Sequence, residues 1–332
     1  MRDEVSFLFF ISMKAIVVRE FGAPEVMKQE EIPAPQIDAN QVLIRVKAAG
    51  VNPVDTYIRS GNYAALPDLP YTPGKDAAGI VEAVGENINS FKVGDRVYTA
   101  DSVSGTYAEL VVCRENQVGH LPENISFEQG AGVFVPYATS YRALFQKAKA
   151  EAGETILIHG ASGGVGIAAV QWAKNAGLIV IGTASSEEGM RLVKEQGANL
   201  VFDHSDENYL QHILEATDGK GVNVILEMLA NVNLVKDFDV LAKYGRIVVI
   251  GNRGSLEFNP RLTMGKDATI YGMSLFNFSS EEQAEIHREI FKGLSEGFLN
   301  PIVGKTFSLA EAAQSHYEVI ESKAFGKIVL EV

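Results

Sequence analysis

Cysteine is almost missing from this chain: of 332 residues, Cys113 is the one cysteine. An intramolecular disulfide is therefore excluded, and so is any metal site built from several thiolates. The shortage fits a reducing compartment, and a cytoplasmic protein is expected. Positive charge is scarce as well. Lys and Arg number 29 against 42 Asp and Glu, a formal net charge of −13. Broad binding through phosphate neutralisation is disfavoured, and nucleic acid is not expected as a primary partner. The apolar run from Val5 to Ile11 is too short to span a bilayer, so no membrane association is expected. Arg2 is followed by Asp3 and Glu4 without a small-residue cleavage site, which is the wrong front for a secretory signal. Residues 1–12 are read as an appended tail, with an alternative start or a mitochondrial targeting segment left open.

The length suits two domains. Residues 13–137 alternate short apolar runs with turn residues, as in Gln41–Val46, Gly79–Val84, Asp95–Tyr98 and Tyr107–Val112, a pattern of small strands that predicts a compact β-barrel. From residue 153 strands and helices alternate. Thr155–His159, Ile179–Thr183, Leu200–Phe202, Val222–Glu227, Arg246–Ile250 and Thr269–Phe276 are the expected strands of a doubly wound parallel sheet, an α/β fold. A helix is expected from Ser280 to Leu294, and the terminal strand Gly326–Glu331 is expected to return to the first domain. The resulting division is a tail of 1–12, a barrel domain of 13–137 completed by 280–332, and a nucleotide-binding domain of 138–279.

The most informative segment runs from Gly153 to Lys174, where an apolar strand, a glycine-dense turn and a helix follow without a gap. Gly160 to Gly166 would let backbone N–H groups approach a ligand with no Cβ in the way, and the helix N-terminus would favour an anion such as a pyrophosphate. The spacing is Gly160-x-x-Gly163-Gly164-x-Gly166, which departs from G-x-G-x-x-G, and a sharp turn made only for packing is the competing reading. About twenty residues further on, where an acid would bind a ribose 2′-hydroxyl, stands Ala184, followed by Ser185 and Ser186. The missing acid removes repulsion against a 2′-phosphate and points to NADPH over NADH. Glu187 and Glu188 read as a first helical turn, with Ser185 and Glu188 forming a capping box. Lys323 and Arg191 are weaker candidates for the phosphate.

Gly153-Glu154-x-x-Leu157-x-x-x-Ala161-Ser162-Gly163-Gly164-x-Gly166-x-x-x-x-Gln171-x-x-Lys174 resembles the signature of the quinone oxidoreductase and zeta-crystallin family within the medium-chain dehydrogenase/reductases. The segments Gly50–Gly61, Tyr71–Gly74, Glu227–Asn233 and Asn259–Arg261 agree, and the resemblance extends from Met13 to the C-terminus. It implies a GroES-like β-barrel domain joined to a Rossmann nucleotide-binding domain. Zinc-dependent relatives hold catalytic zinc with cysteine and histidine. Here Val51 and Asn52, Pro73–Asp76 and Phe134–Pro136 lack those ligands, so no metal is expected.

Several site residues follow from the resemblance. Asn52, Tyr57 and Tyr63 are the candidate catalytic residues, with Tyr57 also a cofactor contact and Tyr63 placed where enoyl-thioester reductase relatives carry a proton-donating tyrosine. Cofactor contacts are expected at Thr139, Ser162, Gly163, Gly164, Val165, Gly166, Ser185, His204, Asn233, Ile250, Gly251, Asn252, Arg253, Met273, Ser274 and Leu275. On the residues alone, Thr139 reads as a helix-start threonine, Asn233 and the last two groups as strand-end turns, and Tyr57 as an aromatic packing a hairpin. His159 reads as a satisfied core histidine and Cys113 as a packing thiol. The expected function is NADPH-dependent, zinc-independent reduction of quinones. A 2-enoyl or alkenal double-bond reductase is the alternative enzyme, and a crystallin-like structural or RNA-binding role the alternative class. The apolar strand at the predicted sheet edge, Thr269–Phe276, points to a homodimer or homotetramer.

Overall fold

The computed structural model describes residues 12–323 and 325–332. Apart from Ser12, which opens the first strand, the predicted tail lies outside the described residues. The chain divides into two compact units. The first holds the described residues up to Leu121 with Thr306–Ile320 and Ile328–Val332, and the second holds Pro122–Lys305 with Glu321–Lys327.

In the first unit β1 (Ser12–Val18) pairs antiparallel with β2 (Met27–Pro33). Then come β3 (Gln41–Val51), helix α1 (Pro53–Arg59), β4 (Asp76–Val84), β5 (Arg96–Thr99), β6 (Leu110–Arg114) and β7 (Val118–His120). These strands form an antiparallel sheet, with β3 between β4 and β6, and β5 between β4 and β7. Burial alternates along the first part of β3 because one face of the sheet is turned to the core and the other to water. Ile16, Val42, Ile44, Val97, Tyr107 and Val111 make that core, and Cys113 is buried among them. The register sets Gly50 opposite Asp76, so the residue that follows β3 and the first residue of β4 meet at one end of the barrel.

The second unit begins with α2 (Phe127–Gly130) and α3 (Phe134–Tyr141) and is built on six parallel strands. They are β8 (Thr155–Ile158), β9 (Ile179–Ala184), β10 (Leu200–Asp203), β11 (Val222–Glu227), β12 (Leu241–Val249) and β13 (Thr269–Gly272). Their spatial order is β10-β9-β8-β11-β12-β13, the doubly wound 3-2-1-4-5-6 order. The strand sequences are near-continuous apolar runs because helices cover both faces. Those helices are α4 (Gly164–Asn175), α5 (Glu187–Gln196), α6 (Tyr209–Ala216), α7 (Ala230–Val240) and α8 (Arg261–Lys266). Next is α9 (Ser280–Glu296), capped by Ser279, whose hydroxyl accepts from the Glu282 N–H at 3.2 Å. β14 (Val303–Ser308), α10 (Ala312–Glu321) and β15 (Lys327–Glu331) end the chain, and β15 pairs antiparallel with β3, Val329 facing Gly50.

The α/β class, the barrel and the parallel sheet are as expected. Three details differ. β13 stops at Gly272 rather than Phe276, and β12 begins at Leu241 rather than Arg246, with a register irregularity opposite Val222–Val224. The unit boundaries also fall elsewhere than the predicted 137/138 and 279/280, since α2, α3 and α9 belong to the second unit. Side-chain bonds explain this. Tyr141 donates to Glu285 at 2.8 Å, Arg142 to Glu282 at 2.9 Å, and Tyr137 to Gln171 on α4 at 2.8 Å, tying α3 and α9 to α4 in one body.

Candidate nucleotide and substrate sites

In the second unit every strand of the parallel sheet is followed by predicted cofactor residues. Ser162 to Gly166 follow β8, Ser185 follows β9, His204 follows β10, Asn233 lies past β11, Ile250 to Arg253 follow β12, and Met273 to Leu275 follow β13. All therefore lie at the carboxyl edge, where open α/β sheets take ligands. The turns are laced to one another. The N–H of Ala161 donates to Thr183 O at 2.8 Å, that of Ala230 to Gly251 O at 3.0 Å, and that of Met273 to Val249 O at 3.1 Å. The N–H of Arg253 reaches the Asn231 side chain at 2.9 Å.

Two glycines of these turns have no room for a side chain. A Cβ on Gly166 would lie 2.5 Å from Ala161 Cα, and one on Gly251 would lie 2.2 Å from Met228 O. Gly164 differs, because its nearest neighbour would be Pro136 at an ordinary 3.5 Å. The requirement there comes from outside the packing. α4 starts on Gly163 as its N-cap, with no side-chain cap, whereas α5 and α9 carry serine caps. No side chain caps the first-turn N–H groups of Gly164, Val165 and Gly166, an end of the helix where the dipole favours an anion. This uncapped cradle fits a pyrophosphate.

At the far end of the cofactor edge, Ser186 rather than Ser185 caps α5, accepting from the Gly189 N–H at 3.1 Å. The predicted Ser185–Glu188 capping box is thereby corrected by one residue. Ser185 instead offers its carbonyl to the Lys323 ammonium at 2.8 Å, which brings a cation beside it. Ala184 is the last residue of β9 and is buried, so no acid stands at the strand end. His204 is exposed, and the partial desolvation of its ring together with neighbouring His159 holds its pKa below the usual value. Thr139 sits buried in the second turn of α3 rather than at its start. Asn233 lies within α7 rather than in a turn.

In the first unit Asn52 is the N-cap of α1 and Pro53 its first residue, where a missing N–H costs nothing. Asn52 is buried. Its side-chain N–H donates to Asp76 at 3.1 Å and its backbone N–H to Asp55 at 2.9 Å. Beneath it the Tyr107 hydroxyl lies 3.4 Å from Asp55 and 3.2 Å from His316. Burial pushes the Tyr107 phenol far up and the His316 imidazole down to about 3, so both are neutral. Tyr57 is half-buried on α1, a helix and not a hairpin, and Tyr63 stands in the turn beyond it, 39% exposed. Cys113 is buried, and burial raises its thiol pKa, as a packing thiol requires.

Sequence reasoning assigned no role to one group. His159, Glu227 and Asp237 are all buried, with ligand-capable atoms within 4.8 Å of one another, the one such trio among the described residues. His159 Nε2 lies 2.8 Å from Asp237 Oδ1, a hydrogen-bond distance, and 3.5 Å from Glu227 Oε2. The signal for it was present: Glu227 closes a strand that otherwise reads Val-Asn-Val-Ile-Leu.

With this geometry in place, the kinship is plain. Residues 38–123 match the alcohol dehydrogenase GroES-like domain and residues 164–291 the zinc-binding dehydrogenase domain. Both are parts of medium-chain dehydrogenase/reductases. The quinone oxidoreductase of Rattus norvegicus is 50% identical over 322 residues, 96% of this chain and 97% of the relative, and that of Homo sapiens is 48% identical over 320 residues, again 96% and 97%. The crystal structure of Escherichia coli quinone oxidoreductase complexed with NADPH superposes with a TM-score of 0.88 at 31% identity, covering 96% of this chain and all of that one. The chain belongs to the quinone oxidoreductase family.

Proposed function

We propose that the protein is an NADPH-dependent quinone reductase that works without zinc. The observation that carries this reading is the uncapped N-terminus of α4 behind Gly160–Gly166, flanked along one sheet edge by the turns after the other five strands. When bound, NADPH supplies a hydride. The chain's part is binding, orientation and charge. The Gly164, Val165 and Gly166 amides receive the pyrophosphate, and Ser185 with Lys323 receives the 2′-phosphate, with His204 close by. Asn233, the 250–253 turn and the 273–275 turn line the cofactor, with Thr139 behind the nicotinamide. On the substrate side Asn52, held by Asp76, keeps a fixed amide on the unit that also carries Tyr57 and Tyr63. A quinone accepts electrons readily, so positioning and hydrogen-bond donors suffice, and beside the transferred hydride the reduced quinone takes one proton from solvent.

The residues at the places where relatives hold zinc support this reading. Asn52 is bonded to Asp76, Lys75 is paired with Asp101 at 2.9 Å, and Val135 lies on α3. Assembly as a homodimer or homotetramer through the edge strand β13, and a cytoplasmic location, complete the proposal. No described helix is long and apolar enough to cross a membrane.

The test is turnover of NADPH with a quinone panel beside enoyl thioesters, with metal analysis of the purified protein. Quinone turnover that survives chelator, and Tyr63→Phe activity within about threefold of the parent, are expected. An enoyl substrate reduced well and lost by on the order of 10²-fold in Tyr63→Phe would instead make Tyr63 a proton donor to carbon. A monomer mass by light scattering would sink the assembly.

A further inference from the structure

Glu227 ends β11 with no exposed surface, and an isolated carboxylate there would be costly. Its contacts show what it holds. Oε1 accepts from the Leu229 N–H and from the Asn233 side chain, the latter at 3.2 Å. Its backbone carbonyl accepts from Ile250 N–H at 2.9 Å and Gly251 N–H at 3.2 Å. One residue thus grips the turn after β11 and the turn after β12. Behind it, Oε2 faces His159 Nε2, which also bonds Asp237, one helical turn beyond Asn233 on α7. His159 in turn immediately precedes the Gly160–Gly166 turn, and its N–H donates to Leu226 O at 3.2 Å. The trio therefore underlies three of the turns assigned above to the cofactor.

We propose that Glu227, backed by His159 and Asp237, is a positioning residue for cofactor binding, and that the proton this buried trio shares couples cofactor affinity to pH. The inference rests on the cofactor reading of the preceding section. The groups facing the trio are Tyr209 of α6, whose ring stands edge-on to His159 at 6.5 Å, and His204 after β10. Burial raises Glu227 to about 7, with Asp237 adding repulsion, and burial raises Asp237 to about 7, while it lowers His159. Below neutrality one carboxyl keeps its proton and the two acids coexist. Above it, both become anions around a neutral imidazole. The second charge adds negative potential under an anionic ligand, although the Leu229 N–H favours the Glu227 anion, so affinity falls as pH rises through about 7.

The experiment measures the NADPH dissociation constant by fluorescence titration between about pH 5.5 and 8.5, and amide exchange of the 228–233 segment in the cofactor-free chain. The wild type, Glu227→Gln and Glu227→Ala are compared. Glutamine keeps the Oε1 acceptor and cannot titrate, so its affinity should change less with pH than that of the wild type, which weakens about tenfold across the range. Exchange should stay slow in the glutamine variant and speed up in the alanine variant. An identical pH course in wild type and Glu227→Gln, or slow exchange retained in Glu227→Ala, would overturn the inference. A wild type that binds no NADPH, yet shows the expected exchange pattern, would overturn the cofactor reading and leave the grip on the turns standing.

Discussion

In the first unit Asn52 is held by side chains, Asp76 and Asp55, over a buried floor of Tyr107 and His316. In the second unit the turns after β8 and β12 are held by backbone hydrogen bonds and by the lack of a Cβ on Gly166 and Gly251. The difference predicts opposite sensitivities. A cradle made of backbone tolerates the loss of side chains and resists the gain of one. A site made of side chains behaves the other way round. The buried acids differ too: Asn52 stands between Asp55 and Asp76, whereas Glu227 and Asp237 share a narrow space with one imidazole.

The most damaging change on this view is the smallest. Gly251→Ala would press a methyl into Met228 O, and the variant should lose roughly 3 kcal/mol in urea denaturation, with the second unit melting first. A variant as stable as the parent would break the claim that backbone proximity holds this edge. Gly164→Ala sharpens the comparison, because ordinary space is available around it. Its melting temperature should stay within a few degrees of the parent while NADPH and NADH both bind about 10²-fold more weakly, as titration would reveal, since the new methyl sits where the pyrophosphate approaches.

Deleting a side chain probes the other half. Asp76→Ala removes the acceptor that orients the Asn52 amide, so quinone turnover should fall about tenfold with the NADPH dissociation constant unchanged. An equal fall in cofactor affinity would mean that Asp76 does not act through the substrate-side residues. The smallest expected effect concerns pH and stability. Glu227 has a folded pKa of about 7 against an ordinary 4.5. The folded state therefore prefers the protonated acid, its contribution is complete below about 4.5, and it is lost as pH rises through about 7. Exposed Glu30 and Glu82, paired with Arg19 and Arg45, shift the other way. Comparing Glu227→Gln with the parent cancels them. The melting temperature of the glutamine variant should gain on the parent by a few degrees between about pH 5 and 8, and calorimetry showing a constant gap would refute the assignment.

Much of this protein was legible in the chain itself. Strand and helix periods depend on neighbours a few residues apart, so the barrel, the parallel strands and the glycine turn into α4 could be read directly. The near absence of cysteine settled the disulfide question by counting. Local reading failed where distant residues decide. Which serine caps α5 depended on where β9 ends, the length of β13 on how far it tracks β12, and the allegiance of α9 on bonds from Tyr141 and Arg142 across more than a hundred residues of chain. The His159–Asp237 pair spans 78 residues, and its meeting with Glu227 is set by strand order and helix packing. Turn chemistry and hydrophobic period are local properties of the sequence. Which polar atoms share a buried space, and so which protons they keep, was decided only when the sheet brought the ends of β8 and β11 side by side under α7.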